Sequence, residues 1–342
     1  MNSSSSNLEK RQSLFLFIGL ALLVAMGLAA WAYQLANGMQ TTGLDQHVVW
    51  GLYIAGFFTA AGAGAGLLVL ISINIWKPFL SEKSQYKLLF WALGSFCSAG
   101  ILIAMDVGYP LNLWHLIAGG RMSSLMTWDF WLFETVFIAT VAHLLIINKK
   151  KNISYPVALI SILAALLLVT VEAMMLSSLV ARPHWSEGNL IIKFLLGAGI
   201  SGIGLALLSC SQAECAVIKS ILAALLLTAL VVTGLETTQV LSSVQQNNGL
   251  FFAHLLGGLL IPLALLFQKT MRVPTIISLL LIVGVLVEKI EILSAGQGSP
   301  FTALPAMSYS PSAIETIAVI GATAFGGLVF LGLQKTIGNR IN

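Results

Sequence analysis

Residues 47–66 read HVVWGLYIAGFFTAAGAGAG, and this stretch decides the fold. It opens with an imidazole, an indole and a phenol, at His47, Trp50 and Tyr53, and then continues as an apolar run. Glycine and alanine are unusually dense in its second half. Inside a lipid bilayer, such small residues let neighbouring helix backbones approach closely. The stretch therefore predicts a membrane-spanning helix with a closely packed far half and a polar, aromatic entrance.

The rest of the 342-residue chain has the same apolar character. It is 58% hydrophobic and 9% charged, with a mean hydropathy of +0.93, whereas soluble domains have about 25% charged residues. Apolar runs of about 20 residues, the length that crosses a bilayer as a helix, recur along it. The net charge of +4 is spread over short loops, so no nucleic-acid partner is expected. We predict an all-α polytopic membrane protein of about ten transmembrane helices, at 13–35, 48–76, 86–107, 127–147, 154–181, 189–209, 216–242, 249–268, 273–293 and 312–334.

Basic residues are distributed unevenly between the two predicted faces. With the N-terminus inside, thirteen of the seventeen Lys and Arg residues fall on the cytoplasmic face. The positive-inside rule then places both termini in the cytoplasm. Residues 1–12 are expected to be a polar cytoplasmic lead, because the apolar run after them is too long for a signal-peptide core. The opposite face, periplasmic in a bacterial inner membrane, receives the longer loops, and function tends to lie on such loops.

A second polar helix mouth follows at residues 106–115, DVGYPLNLWH. The predicted topology places Asp106 on the same side of the membrane as His47. Aromatic and polar groups from two helix mouths should therefore converge there. We interpret this convergence as the active site.

Several carboxylates lie within later spans, where an ionisable group is costly and is by default a functional hypothesis. A quinol releases two protons with its two electrons, so a quinone site needs a carboxylate or an imidazole beside the ring oxygen. His47 and Asp106 form the best-placed catalytic pair. The protons also need a route to water, which we assign to Asp129, Glu134 and Glu172. Glu236 and Glu288 lie at a similar depth in other spans.

The same residues also have plainer interpretations, which the sequence leaves open. Asp106 can cap its helix or pair with Arg121, and tryptophans at a helix mouth can belong to the interfacial aromatic belt. The glycine run can serve packing alone. Glu172 can be a neutral, hydrogen-bonded interior carboxyl. A short echo between Val171-Glu172 and Val287-Glu288 is compatible with a duplication of the core.

The metal-binding residue types lack the spacings of a redox centre. Cys97, Cys210 and Cys215 show no C-x-x-C pattern, which argues against an iron–sulfur cluster or c-type haem. A b-type haem needs two histidines at equal depth on facing helices. His143 and His254 lie near opposite ends of their spans, and the other histidines lie at span mouths or in loops. We expect no haem and no metal in this chain.

Four motifs together resemble the polysulfide-reductase-type, NrfD-like family of quinone-reactive membrane subunits. They are Trp50-Gly-Leu-Tyr53-Ile-Ala with its small-residue tail, Asp106-x-Gly108-x-Pro110 with Trp114, Ser123-Ser124-Leu-Met126-Thr-Trp128, and Ala181-Arg182-Pro183-x-Trp185. Each motif alone is loose, but their order and spacing are more specific. The resemblance is good over spans two to five, and beyond them it is one of hydropathy.

The resemblance implies a core of two four-helix bundles with one extra helix at each end. In this chain the first bundle, with the quinone site, would span 48–181 and the second 189–293, flanked by helices at 13–35 and 312–334. Menaquinone or ubiquinone would bind without haem. The implied partners are a four-cluster iron–sulfur subunit and, beyond it, a molybdopterin catalytic subunit.

Carried over by position, the family's quinone pocket would be lined or bordered by His47, Trp50, Tyr53, Asp106, Tyr109, Trp114 and Arg121. Tyr109 is a departure, because an Arg is expected in the Asp-x-Gly-x-Pro segment. The departure removes a positive charge that the resemblance would place at the pocket mouth.

The main hypothesis is therefore a membrane subunit that oxidises quinol and passes the electrons to a periplasmic partner complex. A sulfur compound is the expected terminal substrate. The alternatives are a secondary transporter with buried carboxylates as coupling sites, a quinone-reducing subunit of a hydrogenase-type complex, and a structural anchor with a degenerate pocket.

Overall fold

The computed structural model describes residues 2–186, 188–242, 248–268, 273–298 and 309–338. In this part of the chain the secondary structure is helical and no strand is present. A π-helical segment, His254–Leu260, joins α9 to α10. The α-helices are α1 (Asn2–Asn37), α2 (Leu52–Ile73), α3 (Glu82–Asp106), α4 (Trp114–Gly119), α5 (Leu125–Asn148), α6 (Tyr155–Ser177), α7 (Leu190–Ala206), α8 (Gln212–Ser242), α9 (Asn248–Ala253), α10 (Ile261–Leu265), α11 (Val273–Gly298) and α12 (Ala313–Thr336).

The prediction of an all-α polytopic membrane protein is confirmed. Seven helices among the described residues are long and apolar enough to cross a membrane, namely α1, α2, α3, α5, α6, α8 and α12. The shorter apolar helices α7 and α9–α10 and the charge-bearing α11 occupy the other three predicted spans. The largest difference is at the start, where α1 begins at Asn2 rather than at residue 13. Hydropathy marks only the apolar part of a helix, whereas residues 2–12, about three turns, are mostly polar.

Helices α2, α3, α5 and α6 pack in a ring. Each contacts two neighbours in the order α2, α3, α5, α6 and back to α2. The most enclosed member is α2, whose side chains are almost all buried, whereas α5 is buried along one stripe only. The stretch that opens the sequence analysis is therefore the centre of the packing.

A second ring is formed by α7, α8, the α9–α10 segment with its π-helical turn, and α11. Here too each element contacts its two neighbours in the ring. Ser278 of α11 donates a hydrogen bond to the carbonyl of Gly204 in α7 at 2.5 Å. The first and second rings meet mainly through α2 and α7.

Small residues allow α2 and α7 to pack backbone against backbone. A Cβ placed on Gly66 would lie 2.2 Å from the carbonyl oxygen of Ala198, and one on Gly202 would lie 2.8 Å from the Leu67 nitrogen. Side chains at these two positions would force the helices apart. The glycine-rich run predicted from the sequence thus serves close packing between the two rings.

The flanking helices α1 and α12 pack on each other and, through α12, on α3. Gly27 and Gly321 face each other so closely that a Cβ on Gly27 would lie 2.6 Å from the Gly321 Cα. On the other side of α12, a Cβ on Gly326 would lie 2.5 Å from the carbonyl oxygen of Gly94. The two ends of the chain therefore form one helical pair on the outside of the first ring.

The two ends of the bundle differ in chemistry. We call the end where α2, α5, α7 and α12 begin the site end, and the opposite end, which carries Lys149–Lys151, the lysine-rich end. At the lysine-rich end, Glu214 of α8 accepts hydrogen bonds from Ser81, Ser84 and Ser211, joining α8 to the start of α3. At the site end, α3 stops because Gly108 adopts a left-handed φ of 72°, a conformation that glycine takes without strain.

Candidate functional site

Tyr53 lies in the first turn of α2 at the site end and is fully buried. Its hydroxyl donates a 2.5 Å hydrogen bond to Oε1 of Gln34, which α1 supplies. The amide of Gln34 in turn donates to the Met105 carbonyl at 3.0 Å. A phenol that is both buried and bonded holds a fixed orientation, and here a flanking helix sets that orientation.

Asp106, the last residue of α3, lies close to Tyr53. Its carboxylate is within electrostatic range of both Tyr53 and Glu315. Its Oδ1 atom is buried and finds no hydrogen-bond partner among the described residues. An unpaired buried acceptor costs about 1–3 kcal/mol, so such an atom is a candidate contact for a ligand hydroxyl.

Glu315 of α12 closes the other side of this corner. Its carboxylate accepts hydrogen bonds from the Leu52 amide at 2.8 Å, the Tyr309 hydroxyl at 2.5 Å and the Gly43 amide at 3.2 Å. It thus places an acceptor at the N-terminus of α2, where negative charge is favourable. Burial and the adjacent Glu315 carboxylate raise the pKa of Tyr309, so this hydroxyl stays protonated. A side chain at Gly51 would collide with this pair.

Trp50 lies on the opposite side of the α2 entrance, against Trp185. The two ring centroids are 5.5 Å apart and tilted by 31°. Gln297 of α11 fixes the backbone here, accepting from the Trp50 amide at 2.9 Å and donating to the Trp50 carbonyl at 2.7 Å. Trp185 is buried and donates to the Ile292 carbonyl at 2.8 Å. The second ring therefore positions the aromatic wall of the first.

Arg182 ties this wall to the loop before α2. Its guanidinium donates to the Gln297 carbonyl at 2.9 Å and to the His47 carbonyl at 3.3 Å. The loop itself turns at Asp45, whose Oδ1 accepts from the amides of His47 and Val48. These two backbone donors hold the pKa of Asp45 below its usual range.

The remaining predicted lining residues lie outside this corner. The side chain of His47 is exposed at the rim. Tyr109 and Trp114 are 58% and 60% exposed, and Arg121 is exposed as well, all on the segment between α3 and α5. The structure thus brings Tyr53 and Asp106 together, with Trp50 at the same entrance. It leaves the other four predicted lining residues on the surface.

Of the residues predicted to form the proton route, two are buried and one is half-buried. Asp129 and Glu172 are buried on α5 and α6 and interact electrostatically, whereas Glu134 is half-buried. Oδ1 of Asp129 and both carboxylate oxygens of Glu172 lack a hydrogen-bond partner within the described residues. Glu288 lies in the second ring beside Lys289. The side chain of Glu236 lies outside the described part of the structure.

The two buried histidines, His143 and His254, lie in different rings. Nε2 of His143 lies 3.1 Å from the Ser161 hydroxyl, in the half of the first ring nearer the lysine-rich end. Nδ1 of His254 lies 3.0 Å from the Gly284 carbonyl in the second ring. Within the described residues, no group of three or more His, Cys, Asp and Glu side chains is arranged to hold a metal ion.

Sequence reasoning missed Gln34, Gln297, Tyr309 and Glu315. A local signal existed for Glu315 alone, because Ser312-x-x-Glu315 has the pattern of a helix capping box, and the Ser312 hydroxyl does accept from the Glu315 amide at 3.1 Å. Nothing in that pattern shows that the glutamate reaches α2. The partners of the other three at the start of α2 lie 19, 247 and 257 positions away along the chain.

Comparison with known proteins gives independent evidence about the family to which the chain belongs. The chain is 28% identical over 221 residues to a putative dimethyl sulfoxide reductase membrane subunit of Halobacterium salinarum, covering 57% of this chain and 50% of that protein. It is 25% identical over 199 residues to the Hdr-like menaquinol oxidoreductase integral membrane subunit of Archaeoglobus fulgidus, covering 56% and 49%. It is 21% identical over 136 residues to a selenate reductase subunit of Mesobacillus selenatarsenatis, covering 40% and 32%.

The chain thus spans half or less of the length of these relatives. Residues 40–300 match the family described as polysulphide reductase, NrfD. That range contains α2 to α11 and leaves the flanking helices α1 and α12 outside, apart from the loops beside them. The four motifs at the site end fall within it. By this match over most of its length, the chain belongs to the polysulphide reductase NrfD family.

Proposed function

We propose that this chain is the quinone-reactive membrane subunit of a respiratory oxidoreductase and that it oxidises quinol at the site end. The observation that carries the proposal is the buried, unpaired Oδ1 of Asp106 beside the phenol of Tyr53. Family membership supports it, and so does the similarity to a relative named as a menaquinol oxidoreductase subunit. Menaquinol or ubiquinol is the substrate class.

The residues present fit a hydroxylated aromatic ring. Asp106 offers an acceptor for a hydroxyl proton, and a positioned carboxylate of this kind contributes about 100- to 10,000-fold to a proton-transfer step. Trp50, held by Gln297 and Trp185, offers an aromatic face at the entrance. His47 at the exposed rim is placed to pass protons to water, and Asp129, Glu134 and Glu172 form a second route in the first ring.

Electrons leave at the same end to a periplasmic iron–sulfur subunit with four clusters, and then to a molybdopterin subunit that reduces a sulfur compound. Relatives named as dimethyl sulfoxide and selenate reductase subunits support a reductase complex of this kind. The exposed Tyr109, Trp114 and Arg121 offer a docking surface for the iron–sulfur partner. In this proposal the chain is a bacterial inner-membrane protein with both termini in the cytoplasm.

Replacement of Asp106 by Asn tests the site. Asn keeps the shape of the side chain but takes no proton, so quinol oxidation in the purified complex should fall by about 100-fold or more. Asp45→Asn is the matched control at the same end, because Asn retains the oxygen that accepts from the His47 and Val48 amides. Normal turnover in Asp106→Asn would remove Asp106 from the mechanism.

A pull-down tests the partners. A tag at the C-terminus and mild detergent should recover an iron–sulfur protein and a molybdenum subunit, identified by mass spectrometry and metal analysis. A chain that purifies alone, without iron or bound quinone, would favour the secondary transporter instead.

A further inference from the structure

Two of the three cysteines of the chain lie at the start of α8, at the lysine-rich end of the bundle. Residues 210–215 read CSQAEC, and α8 begins at Gln212. Ser211 is therefore the residue directly before the helix, Cys210 precedes it, and Cys215 is the fourth helical residue. Both thiols are free and half-buried. Neither has a role in the proposed function.

The local sequence explains why these two cysteines meet. Ser211-x-x-Glu214 has the pattern of a helix capping box, and Glu214 does reach back to accept from the Ser211 amide at 2.7 Å. In such a helix start, the residue before the cap packs against the fourth helical residue, an arrangement called a hydrophobic staple. Here cysteines occupy both staple positions, at Cys210 and Cys215. The fold of the helix start therefore brings two thiols together.

The two sulfur atoms are in contact. The Cys215 thiol donates to Sγ of Cys210 at 3.7 Å, and the Cys210 thiol donates to the Ala206 carbonyl at 2.7 Å. The backbone is fixed on both sides, because the Cys210 amide donates to the Ala206 carbonyl at 3.2 Å and the Cys215 amide donates to the Ser211 carbonyl at 3.0 Å. The remaining step to a disulfide is closure of the sulfurs from 3.7 Å to about 2.0 Å.

Contacts with the first ring hold this helix start in place. Glu214, which lies between the two cysteines in sequence, accepts from the Ser81 amide and the Ser84 hydroxyl at the start of α3. The Trp91 indole donates at 3.0 Å to the hydroxyl of Ser209, the residue before Cys210. The thiol pair therefore lies where α7, α8 and α3 are joined. The Tyr53–Asp106 corner is at the opposite end of the bundle.

The surroundings of the two thiols give them different chemical roles. Burial, and then the neighbouring Cys215, raises the pKa of Cys210 to about 12, so this sulfur is seldom a thiolate near neutral pH. The Cys210 proton is directed at a carbonyl, whereas the Cys215 proton is directed at a sulfur, which is a weak acceptor. Cys215 is therefore the better first nucleophile. Once its sulfur is bonded to another thiol, it no longer places a negative charge beside Cys210.

We propose that Cys210 and Cys215 form a redox-active dithiol, which a small disulfide such as glutathione disulfide converts to an intramolecular disulfide. Cys215 attacks one sulfur of the small disulfide, whose S–S bond breaks, and one small thiol leaves. Cys210 then attacks Sγ of Cys215, and the second small thiol leaves. The cysteine pair loses two electrons and two protons, and the small disulfide gains both. This chemistry is independent of quinol oxidation, so either proposal can fail without the other.

Peptide mass spectrometry of the full chain in lipid nanodiscs tests the dithiol. The chain is incubated with glutathione disulfide, unfolded, and its remaining thiols are alkylated with N-ethylmaleimide. The peptide that contains Cys210 and Cys215 should then carry no maleimide and be lighter by two hydrogen atoms than its reduced form, and dithiothreitol should restore both thiols. Cys97, in the middle of α3, is the internal control and should remain fully alkylated. A peptide that still carries a maleimide on both cysteines would overturn the proposal.

Single substitutions then separate the two steps. In Cys210→Ser the second step is lost, so Cys215 should accumulate the glutathione adduct. In Cys215→Ser the first nucleophile is lost, so Cys210 should stay reduced over the same time. If the adduct persists on Cys215 in the unmodified chain as it does in Cys210→Ser, Cys210 does not reach it and the dithiol is refuted. An equally fast adduct on Cys210 in Cys215→Ser would refute the assigned order of attack.

Discussion

Substitution of Glu315 should destabilise the whole protein, because this residue of α12 caps a helix far away in the sequence. In Glu315→Ala, the Leu52 amide keeps the Tyr309 hydroxyl as an acceptor at 2.6 Å, but the Tyr309 hydroxyl and the Gly43 amide each lose theirs. An orphan donor costs about 1–3 kcal/mol when it is fully buried, and these two are buried in part. The free energy of unfolding should therefore fall by about 2 kcal/mol. Glu315→Gln keeps one acceptor oxygen and should fall between this variant and the unmodified protein.

The measurement is the free energy of unfolding from reversible denaturation in mixed micelles. Glu82→Ala is the control, because Glu82 is exposed in the first turn of α3 and its loss removes only a helix-dipole interaction of at most about 1 kcal/mol. If Glu315→Ala lies within about 0.5 kcal/mol of the unmodified protein, a range typical of surface substitutions, the carboxylate does not hold α2.

Three further predictions concern packing and the thiols. Gly202→Ala should destabilise the protein by about 1–3 kcal/mol, since its Cβ would lie 2.8 Å from the Leu67 nitrogen. Gly100→Ala is the control and should leave the stability unchanged, because the space around Gly100 is open. Thermal unfolding of both variants tests the prediction. Trp185→Phe should cost about 1–3 kcal/mol by removing the donor to the Ile292 carbonyl, measured in the same way; an unchanged midpoint would refute the role. Burial, and to a lesser extent the neighbouring Cys215, raises the pKa of Cys210 to about 12. Because the thiolate is the nucleophile, alkylation of Cys210 should be slow near neutral pH and accelerate about tenfold per pH unit below that pKa. Mass spectrometry measures the alkylation rate, and a rate independent of pH would contradict the prediction.

The order and position of the membrane helices could be predicted because hydropathy is a local property. Each of the ten predicted spans coincides with a helical segment, and the shift of α1 concerns its polar start. The dense glycines of α2 also predicted that a neighbouring backbone would lie close. This prediction is confirmed, and α7 is that neighbour. The sequence did not show the π-helical turn at His254, because a single extra residue in a helical turn leaves no mark in the hydropathy pattern.

The candidate site was harder to predict because its contacts join distant parts of the chain. The topology correctly placed the mouths of α2 and α3 at one end, which is why Tyr53 and Asp106 were expected near each other. Gln297 contacts Trp50 across 247 positions, and Glu315 contacts Leu52 across 263. No local pattern encodes such a pairing. Lys193 and Lys289 fall inside the predicted spans 189–209 and 273–293, and both lie buried on helices, α7 and α11.

The flanking helices therefore belong to the candidate site, although they lie outside the family match. In the most apolar stretch of α1 only 11% of the residues are buried, compared with 83% in α2. Most of α1 therefore faces lipid. Its buried Gln34 contributes in another way, because this side chain supplies the acceptor for Tyr53 and a donor for Met105. On the other side, α12 supplies Glu315 to the start of α2. A core that ended at residues 40 and 300 would leave the Tyr53 hydroxyl and the Leu52 amide without these two partners. The physical unit that positions Tyr53 is thus the first ring together with its two added helices.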